Sequence, residues 1–101
     1  MKLTDLARGE PCDIRIPGYC NRNPETTVST HYRLAGLCGA GMKPSDVLSA
    51  HGCSACHDLV DGRTSTDEYT RAELRLMHCE AVLRTIDKLV REGRIEIRVK
   101  G

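Results

Sequence analysis

Two pairs of cysteines are the groups in this sequence best suited to hold a metal ion. Cys53 and Cys56 are separated by two residues, and Cys12 and Cys20 form a second pair far upstream. Structural zinc is held by four thiolates, or by three thiolates and a histidine, in a closed tetrahedron. Six cysteines in a chain without an apolar signal segment favour metal binding over disulfides. We therefore predict a structural Zn²⁺ site formed by Cys12, Cys20, Cys53 and Cys56.

Other residues leave alternatives open for this site. Cys38 lies in a glycine-dense loop and could replace Cys20, whereas His51 could be a surface residue or an alternative ligand. Cys79 follows an apolar helical pattern, so we expect it in the core. In a secreted chain, six cysteines would instead indicate disulfides. A CxxC motif at a helix start also lowers a thiol pKa, which makes thiol redox chemistry an alternative, although the βαβ context typical of it is absent.

A histidine and an aspartate follow the second cysteine pair at helical spacing. His57 and Asp61 are four positions apart in a segment that we expect to be a helix ending at Gly62, so their side chains share one face. A histidine and a carboxylate in this arrangement can bind a divalent cation together. The plainer alternative is a polar pair on a helix surface. A further histidine, His31, lies in the β-branched segment 26–33, which predicts a strand.

The remaining elements must position these groups. They are a short helix over residues 2–8, a loop over 35–43, a helical turn over 44–48, a long helix with a capping box at Ser65 and Glu68 that ends at about Glu92, and a strand over 94–100. The apolar positions expected to face the core from the long helix are Tyr69, Ala72, Leu76, Cys79, Leu83, Ile86 and Val90. The apolar residues off this stripe, which could form a homodimer interface, are Leu74, Met77, Val82 and Leu89.

Composition limits the class of protein. With 101 residues and neither Phe nor Trp, the chain predicts one domain with a thin core, which a metal bound only by the folded state would stabilise. A formal net charge of +1 is unlike that of a protein that coats DNA, so any contact with nucleic acid must come from local clusters of arginine. Because no stretch reaches about 20 apolar residues, we expect no membrane span and a cytoplasmic protein.

The order of these motifs resembles that of a known enzyme family. In zinc-containing HNH, or His-Me finger, endonucleases, one cysteine pair precedes a β-hairpin, and CxxCH opens the helix that bears the metal. The chain looks closest to the YbcO-type nucleases encoded by lambda-like phages and prophages, over nearly its whole length. Four stretches carry this resemblance together: residues 12–18 (CDIRIPG), 23–26 (NPET), 37–39 (LCG) and 53–58 (CSACHD).

The resemblance implies an α+β fold: one HNH-like zinc-binding domain over residues 1–101, with a small ββα-metal core and a long C-terminal helix. It implies that His31 is the general base that takes a proton from water for attack on a phosphodiester. His57 and Asp61 match the positions that hold a catalytic Mg²⁺ or similar divalent ion, which polarises the phosphate and stabilises the leaving oxygen. Arg33 and Arg63 are candidates for binding the phosphates of nucleic acid.

Two positions depart from the pattern of that family. The residue before the hairpin histidine often binds the metal, but here it is Thr30, a poor ligand. The asparagine that usually braces the loop is absent, and Asp46 is the nearest candidate for a brace or a ligand, or alternatively caps a helical turn. The expected function is a metal-dependent DNA endonuclease in a bacterial cell that carries a phage or prophage. The alternative is a non-catalytic zinc-stabilised module that binds nucleic acid or protein.

Overall fold

The computed structural model describes residues 2–39 and 41–99 as short elements arranged around one long helix. In chain order these are a 3-10 helix Leu3–Ala7, a 3-10 helix Pro24–Thr26, strand β1 Val28–His31, strand β2 Ser49–Gly52, helix α1 Ser54–Val60 and helix α2 Arg71–Arg91. β1 and β2 pair antiparallel, with Val28 opposite Gly52 and His31 opposite Ser49. The architecture is a small α+β fold with a two-stranded sheet and a long C-terminal helix.

Strand β2 is enclosed because the N-terminal arm, residues 10–20, lies against it. All four residues of β2 are buried, and Ile14 and Ile16 of the arm are buried in the same core. A Cβ atom at Gly52 would lie 2.5 Å from Cδ1 of Ile14 and 3.0 Å from Oγ1 of Thr30. Only glycine therefore lets the arm approach the sheet this closely. This contact holds the first cysteine pair beside the segment that carries the second.

A buried aspartate fastens the same arm to α2. Asp13 Oδ2 accepts hydrogen bonds from Thr85 Oγ1 at 2.8 Å and from Lys88 Nζ at 2.9 Å. Arg84 donates to the main-chain carbonyl of Asp13 at 2.8 Å, and the His51 amide donates to Thr85 Oγ1 at 3.0 Å. A buried carboxylate is costly unless it is paired and hydrogen-bonded. These bonds consequently fix where the arm meets the sheet and the helix.

Helix α2 begins later than the sequence predicts. Thr70 is its N-cap: Thr70 Oγ1 accepts from the Glu73 amide, and Glu73 Oε1 accepts from the Thr70 amide. The predicted capping box at Ser65 and Glu68 is wrong, although it has the same spacing. Residues 65–69 instead form a loop that contacts the arm, because the hydroxyl of Tyr19 bonds both Thr66 Oγ1 and Glu68 Oε1.

The buried face of α2 differs from the prediction, although Tyr69 and Ile86 of the predicted stripe do pack against the core. The residues of α2 that are buried against the sheet and α1 are Leu74, His78, Ala81, Val82, Thr85 and Leu89. Leu76 and Leu83, which were expected to face the core, are 59% and 64% exposed. Both faces of the helix are apolar, so the spacing alone could not distinguish the inner one. Leu74, Val82 and Leu89 thus belong to the core and do not form a dimer interface.

The remaining predicted elements are partly confirmed. The helix over 2–8 is the 3-10 helix Leu3–Ala7, and the strand over 26–33 is shortened to Val28–His31. Within the helical turn predicted over 44–48, a turn forms at residues 46–47. Residues 94–99 form no strand, because a strand requires a neighbour and the described sheet contains only β1 and β2; Lys100 lies outside the described residues. None of the described helices combines the length and apolarity needed to cross a membrane.

Candidate functional site

The four predicted zinc ligands come together in one cluster. Cys12 and Cys20 lie on the arm, Cys53 caps α1 and Cys56 is in its first turn, and their four Sγ atoms all lie within 4.8 Å of one another. With Zn–S bonds of about 2.3 Å, a tetrahedron of sulfurs has edges of about 3.8 Å. Cys20 Sγ and Cys53 Sγ are 3.9 Å apart. The cluster can therefore hold a metal such as zinc, which favours thiolate ligands.

The backbone around the cluster directs amide groups at the sulfurs. Arg15 N donates to Cys12 Sγ at 3.5 Å, and Cys56 N donates to Cys53 Sγ at 3.4 Å. Arg15 and Arg22, which follow Cys12 and Cys20 closely, have positive φ angles of 53° and 55°. Such angles are uncommon for residues other than glycine and cluster at ligand sites. Amides that point at sulfur favour the charged thiolate, which is the form that binds metal.

Hydrogen bonding separates the acidities of the clustered thiols. The hydrogen bond with Cys56 lowers the pKa of Cys12 to about 4. The same bond, together with burial, raises the pKa of Cys56, and burial raises the pKa of Cys20. Within this hydrogen-bonded pair, Cys12 is therefore the thiolate that accepts and Cys56 the thiol that donates. Metal binding releases the protons of the others, since a bound cation requires deprotonated ligands.

The alternatives to this ligand set are excluded by position. Cys38 lies outside the cluster, with its Sγ 3.7 Å from the carbonyl of Leu34, so it does not replace Cys20. Cys79 is exposed, and the expectation that it lies in the core is wrong because it is on the outer face of α2. His51 is only 2% exposed on β2 and is absent from the cluster, so it is neither a surface residue nor an alternative ligand. Burial lowers the pKa of His51 and keeps it neutral.

His31 is held by a carboxylate from the loop between the strands. Its Nε2 lies 2.9 Å from Asp46 Oδ1, and the two side chains are 17% and 37% exposed. The hydrogen bond from His31 lowers the pKa of Asp46, so the carboxylate is ionised and can only accept. In the neutral imidazole, Nε2 therefore carries the proton and Nδ1 keeps its lone pair. Lys43 Nζ lies 3.8 Å from the same carboxylate oxygen.

His57 and Asp61 meet on α1 as their spacing predicts. His57 Nε2 lies 3.0 Å from Asp61 Oδ2, and both side chains are about a quarter to a third exposed. Arg63 extends from the turn after α1 and lies 3.8 Å from the same carboxylate and 3.7 Å from Asp58. A histidine and a carboxylate converge here, with solvent access to both.

An open cleft joins β1 to the end of α1. It has a volume of about 340 Å³ and is lined by His31, Arg33, Val60, Asp61, Arg63, Arg75 and His78. Three of these seven residues are arginines, and one is acidic. His31 and Asp61, which are far apart in sequence, therefore face one hollow with a basic lining, whereas His57 is not among its lining residues. A second hollow of about 610 Å³, lined in part by Arg8, Ser29 and Lys43, also has His31 in its lining.

Two residues of the cleft, His78 and Arg75, are absent from the prediction. His78 Nε2 lies 3.0 Å from the carbonyl of Thr30, and burial lowers the pKa of the imidazole. Arg75 stacks 4.7 Å above the ring of Tyr32 and donates to the carbonyl of Arg33 at 3.3 Å. The spacing of four residues between Leu74 and His78 places both on one face of α2. This spacing could have predicted that His78 is buried only if the inner face of α2 had been known.

The residue before His31 does not contribute to this cleft. Thr30 is 1% exposed, and its hydroxyl is buried without a hydrogen-bond partner in the described part of the chain. Its side chain instead lies close to Gly52 in the core. Alternation along β1 explains this, because neighbouring strand residues point to opposite faces. A metal in the cleft would receive no ligand from Thr30.

The fold and site define a class of protein: a small α+β protein with a cysteine cluster that could hold a metal and an open cleft lined by three arginines. A family model described as "Putative nuclease YbcO" matches residues 1–94. The chain belongs to this family, since the match covers most of its length.

Relatives agree with this assignment. "Putative nuclease YbcO" of Escherichia coli (strain K12) and "Putative nuclease ybcO" of Enterobacteria phage 82 are each 58% identical to the chain over 62 residues. Those residues are 61% of this chain and 65% of each relative, so the match spans less than two thirds of their length. A solved structure, described as that of a putative bacteriophage protein from Escherichia coli str. K-12 substr. MG1655, has a TM-score of 0.74 and 39% identity, and the match covers 89% of this chain and 98% of that one.

Proposed function

We propose that this protein is a metal-dependent endonuclease of the HNH type that hydrolyses phosphodiester bonds in DNA. The observation that carries the proposal is the shared cleft, which His31, Asp61 and three arginines all line. The β1–β2–α1 order, with a cysteine cluster at the start of α1, is the order expected of a ββα-metal core. The family description as nucleases supports the reaction class.

His31 acts as the general base. Asp46 fixes its neutral tautomer with the proton on Nε2, so Nδ1 is the atom that accepts a proton from water. The hydroxide then attacks phosphorus, and the P–O bond to the leaving oxygen breaks. Asp46 is a positioning residue in this scheme, because it orients the ring without touching the substrate, as carboxylates do for catalytic histidines.

His57 and Asp61 would hold the catalytic divalent ion. Their donor atoms are 3.0 Å apart, and an imidazole with a carboxylate is a donor set that such ions accept. Mg²⁺ usually takes one or two protein carboxylates and completes its shell with water and phosphate oxygens, so few protein ligands suffice. When bound, the ion supplies charge that stabilises the phosphate and the leaving oxygen. Arg63 lies against Asp61 and keeps positive charge near this point.

The arginines position the phosphate backbone. Arg33, Arg63 and Arg75 line the cleft, and Arg8 and Lys43 line the second hollow, which shares His31 with it. Planar guanidinium groups suit bidentate contact with phosphate. A strand that crosses both hollows would therefore have its scissile phosphate beside His31 and its neighbouring phosphates at cationic residues. These clustered arginines and Lys43 provide local positive charge for phosphate binding, although the net charge of the whole chain is only +1.

Nicking of a supercoiled plasmid tests this function. The zinc-loaded protein is incubated with Mg²⁺ or Mn²⁺ beside His31→Ala and His31→Asn, the second of which keeps a polar side chain of similar size. We expect cleavage by the wild type only, with unchanged melting temperature and zinc content in both variants. Full cleavage by either variant would reject His31 as the base.

One observation favours a second candidate, a zinc-stabilised module that binds nucleic acid without cutting it. In residues 2–39 and 41–99, the cysteine cluster is the only set of three or more ligand side chains close enough to share an ion. Salt-dependent DNA binding without nicking in any divalent metal would support this alternative. Nicking that depends on His31 would exclude it.

A further inference from the structure

The outer face of α2 carries an apolar stripe whose first four members are exposed, while Ile86 near its end also packs against the core. Its members are Ala72, Leu76, Cys79, Leu83, Ile86 and Val90. Leu76 and Leu83 are more than half exposed, and Ala72 and Cys79 are also exposed, while Ile86 and Val90 are partly buried. A surface helix needs one apolar face to pack on its own core, and α2 already uses another face for that purpose.

The spacing of the stripe is that of a coiled coil. Its six positions are separated by four, three, four, three and four residues, so two sets repeat every seven residues. Leu76, Leu83 and Val90 occupy one set, and Ala72, Cys79 and Ile86 the other. Apolar residues at both sets of a heptad let two helices pack side by side with knobs in holes. The opposite, core-facing side of α2 buries His78 and Thr85 among its apolar residues and lacks this uniform seam.

We propose that a second copy of this chain covers the stripe, forming a parallel two-fold dimer through α2. An identical helix presents the same apolar positions at the same intervals, so the two seams match over their full length. The 21 residues of α2 span about 30 Å, or three heptads. The helix is already held by its own core, which reduces the ordering cost that a short isolated coiled coil meets on association.

Charges beside the stripe select the parallel orientation. Glu73, Glu80 and Asp87 follow one border of the seam at intervals of seven residues, and Arg75 lies on the other border. In an antiparallel pair centred on the stripe, the acidic borders would face each other, with Glu80 near Glu80 of the second copy. Such like-charge contacts oppose association. In a parallel pair, the acidic border of each copy instead lies opposite the non-acidic border of the other, so this repulsion is absent.

Sedimentation equilibrium of the zinc-loaded full chain tests the dimer. We expect a mass of about twice 11.2 kDa at roughly 100 µM. Leu83→Glu places a charge in the seam, and because Leu83 is exposed it leaves the domain core intact. This variant should sediment as a monomer, and its melting temperature should equal that of the wild type measured at a concentration too low for dimer formation. Arg91→Ala, on the exposed side of α2 but outside the stripe, is the matched control and should remain dimeric.

Oxidation of the native cysteine tests the orientation. A parallel seam places Cys79 beside Cys79 of the second copy, whereas an antiparallel seam places it beside Leu83. In a Cys38→Ser background with zinc bound, mild oxidation with a disulfide such as oxidised glutathione should link the two Cys79 sulfurs, reducing one equivalent of that oxidant. The covalent dimer should be absent in Cys79→Ser.

The outcomes that overturn the proposal are distinct. A wild-type chain that is monomeric at this concentration overturns the dimer itself. A dimer that persists in Leu83→Glu shows that the copies associate elsewhere. A dimer that Leu83→Glu dissociates but that never cross-links through Cys79 overturns the parallel arrangement. None of these results depends on nuclease activity.

Discussion

The cysteine cluster and the cleft around His31 are built in contrasting ways. Cys12, Cys53 and Cys56 are buried, and amide groups already point at two of their sulfurs. In the cleft, His31 remains partly exposed and is hydrogen-bonded to Asp46. Asp61 lines the same cleft and lies 3.0 Å from His57, which is also partly exposed. The cluster brings together the four thiols that a closed tetrahedral metal site requires. The cleft has fewer donor groups and leaves space for water or phosphate.

From this difference we expect the two regions to have separate tasks. A closed tetrahedral site stabilises a fold and excludes substrate, while a catalytic site keeps positions open for water and phosphate. Changes at the cluster should therefore alter stability, and changes in the cleft should alter binding or turnover with the fold intact.

Loss of the metal should have the largest effect. Structural zinc contributes about 10–16 kcal/mol of apparent binding free energy at neutral pH, which equals or exceeds the stability of a typical domain. Cys56→Ser or chelation should thus abolish the cooperative thermal transition measured by circular dichroism. Cys79→Ser is the matched control, since an exposed cysteine outside the cluster should change stability by no more than about 0.5 kcal/mol. A cooperative wild-type transition after complete zinc removal would contradict the structural role.

In the cleft, Asp46→Asn should lower the rate of cleavage while the protein stays folded. An amide can donate to Nε2 of His31, which favours the tautomer that no longer presents Nδ1 as a base. We expect kcat to fall by about 10–100-fold with little change in KM, as for partners that orient catalytic histidines and ligands. The pKa of Asp46 is lowered by His31, so its carboxylate is ionised throughout the active pH range.

The pH profile and a rescue variant separate positioning from simple damage. Asp46→Glu restores a carboxylate and should recover part of the lost rate, which a merely disrupted loop would not do. If Asp46→Asn and Asp46→Glu are equally slow at every pH, the carboxylate has no orienting role.

A substitution that disturbs the contact between the arm and the sheet should lower the free energy of unfolding by an intermediate amount. Gly52→Ala would place Cβ 2.5 Å from Ile14 Cδ1, so the arm must move or the core must be strained. Overpacking of this kind costs about 1–3 kcal/mol in the free energy of unfolding. Gly39→Ala is the control, because its Cβ would meet no atom within 4 Å. Equal unfolding free energies for the two variants would show that the arm does not lie on β2.

Arg75 should affect the binding of nucleic acid more than it affects stability. Arg75→Ala should weaken DNA binding measured without divalent metal and reduce the magnitude of the slope of log K against log salt by about one. Arg75→Lys should keep that slope but lose the stacking on Tyr32. An unchanged slope in Arg75→Ala would show that this residue does not contact phosphate.

The smallest effect concerns protonation of His78. Burial lowers its pKa, so between the lowered value and about 6.5 the unfolded chain binds a proton that the folded protein does not. His78 therefore makes stability fall as the pH drops below about 6.5. Titration by NMR should show the His78 ring neutral at pH 6.5. A ring that is half-charged at or above that pH would contradict the burial described here.

The sequence was most informative where spacing and chemistry act locally. The CxxC pair, the His57–Asp61 pair and the helical run up to Arg91 were correctly placed, because each depends on neighbours within one turn or one helix. Cys12 and Cys20 lie in one cluster with Cys53 and Cys56, as the sequence predicted, although only the structure shows that Cys38 lies outside it.

Predictions failed where two segments compete for the same contact. Ser65 and Glu68 had the spacing of a capping box, but the contacts of Thr66 and Glu68 with Tyr19 keep that segment in a loop. Strand β2 carries no β-rich signal, and it forms because Ser49–Gly52 is enclosed between β1, the arm and α2. The strand predicted over 94–100 had the right alternation and no neighbour to pair with in the described residues.

By itself, the sequence determined a metal-binding cysteine set, a helical histidine–carboxylate pair and a long amphipathic helix, because ligand chemistry and helical periodicity are properties of short segments. Only the tertiary structure decided which face of α2 is buried, that Asp46 holds His31, and that Arg75 and His78 enter the cleft. Each of those outcomes depends on contacts between residues distant in the chain. Their free energies come from burial and hydrogen bonds that exist only after the arm, sheet and helix have packed together.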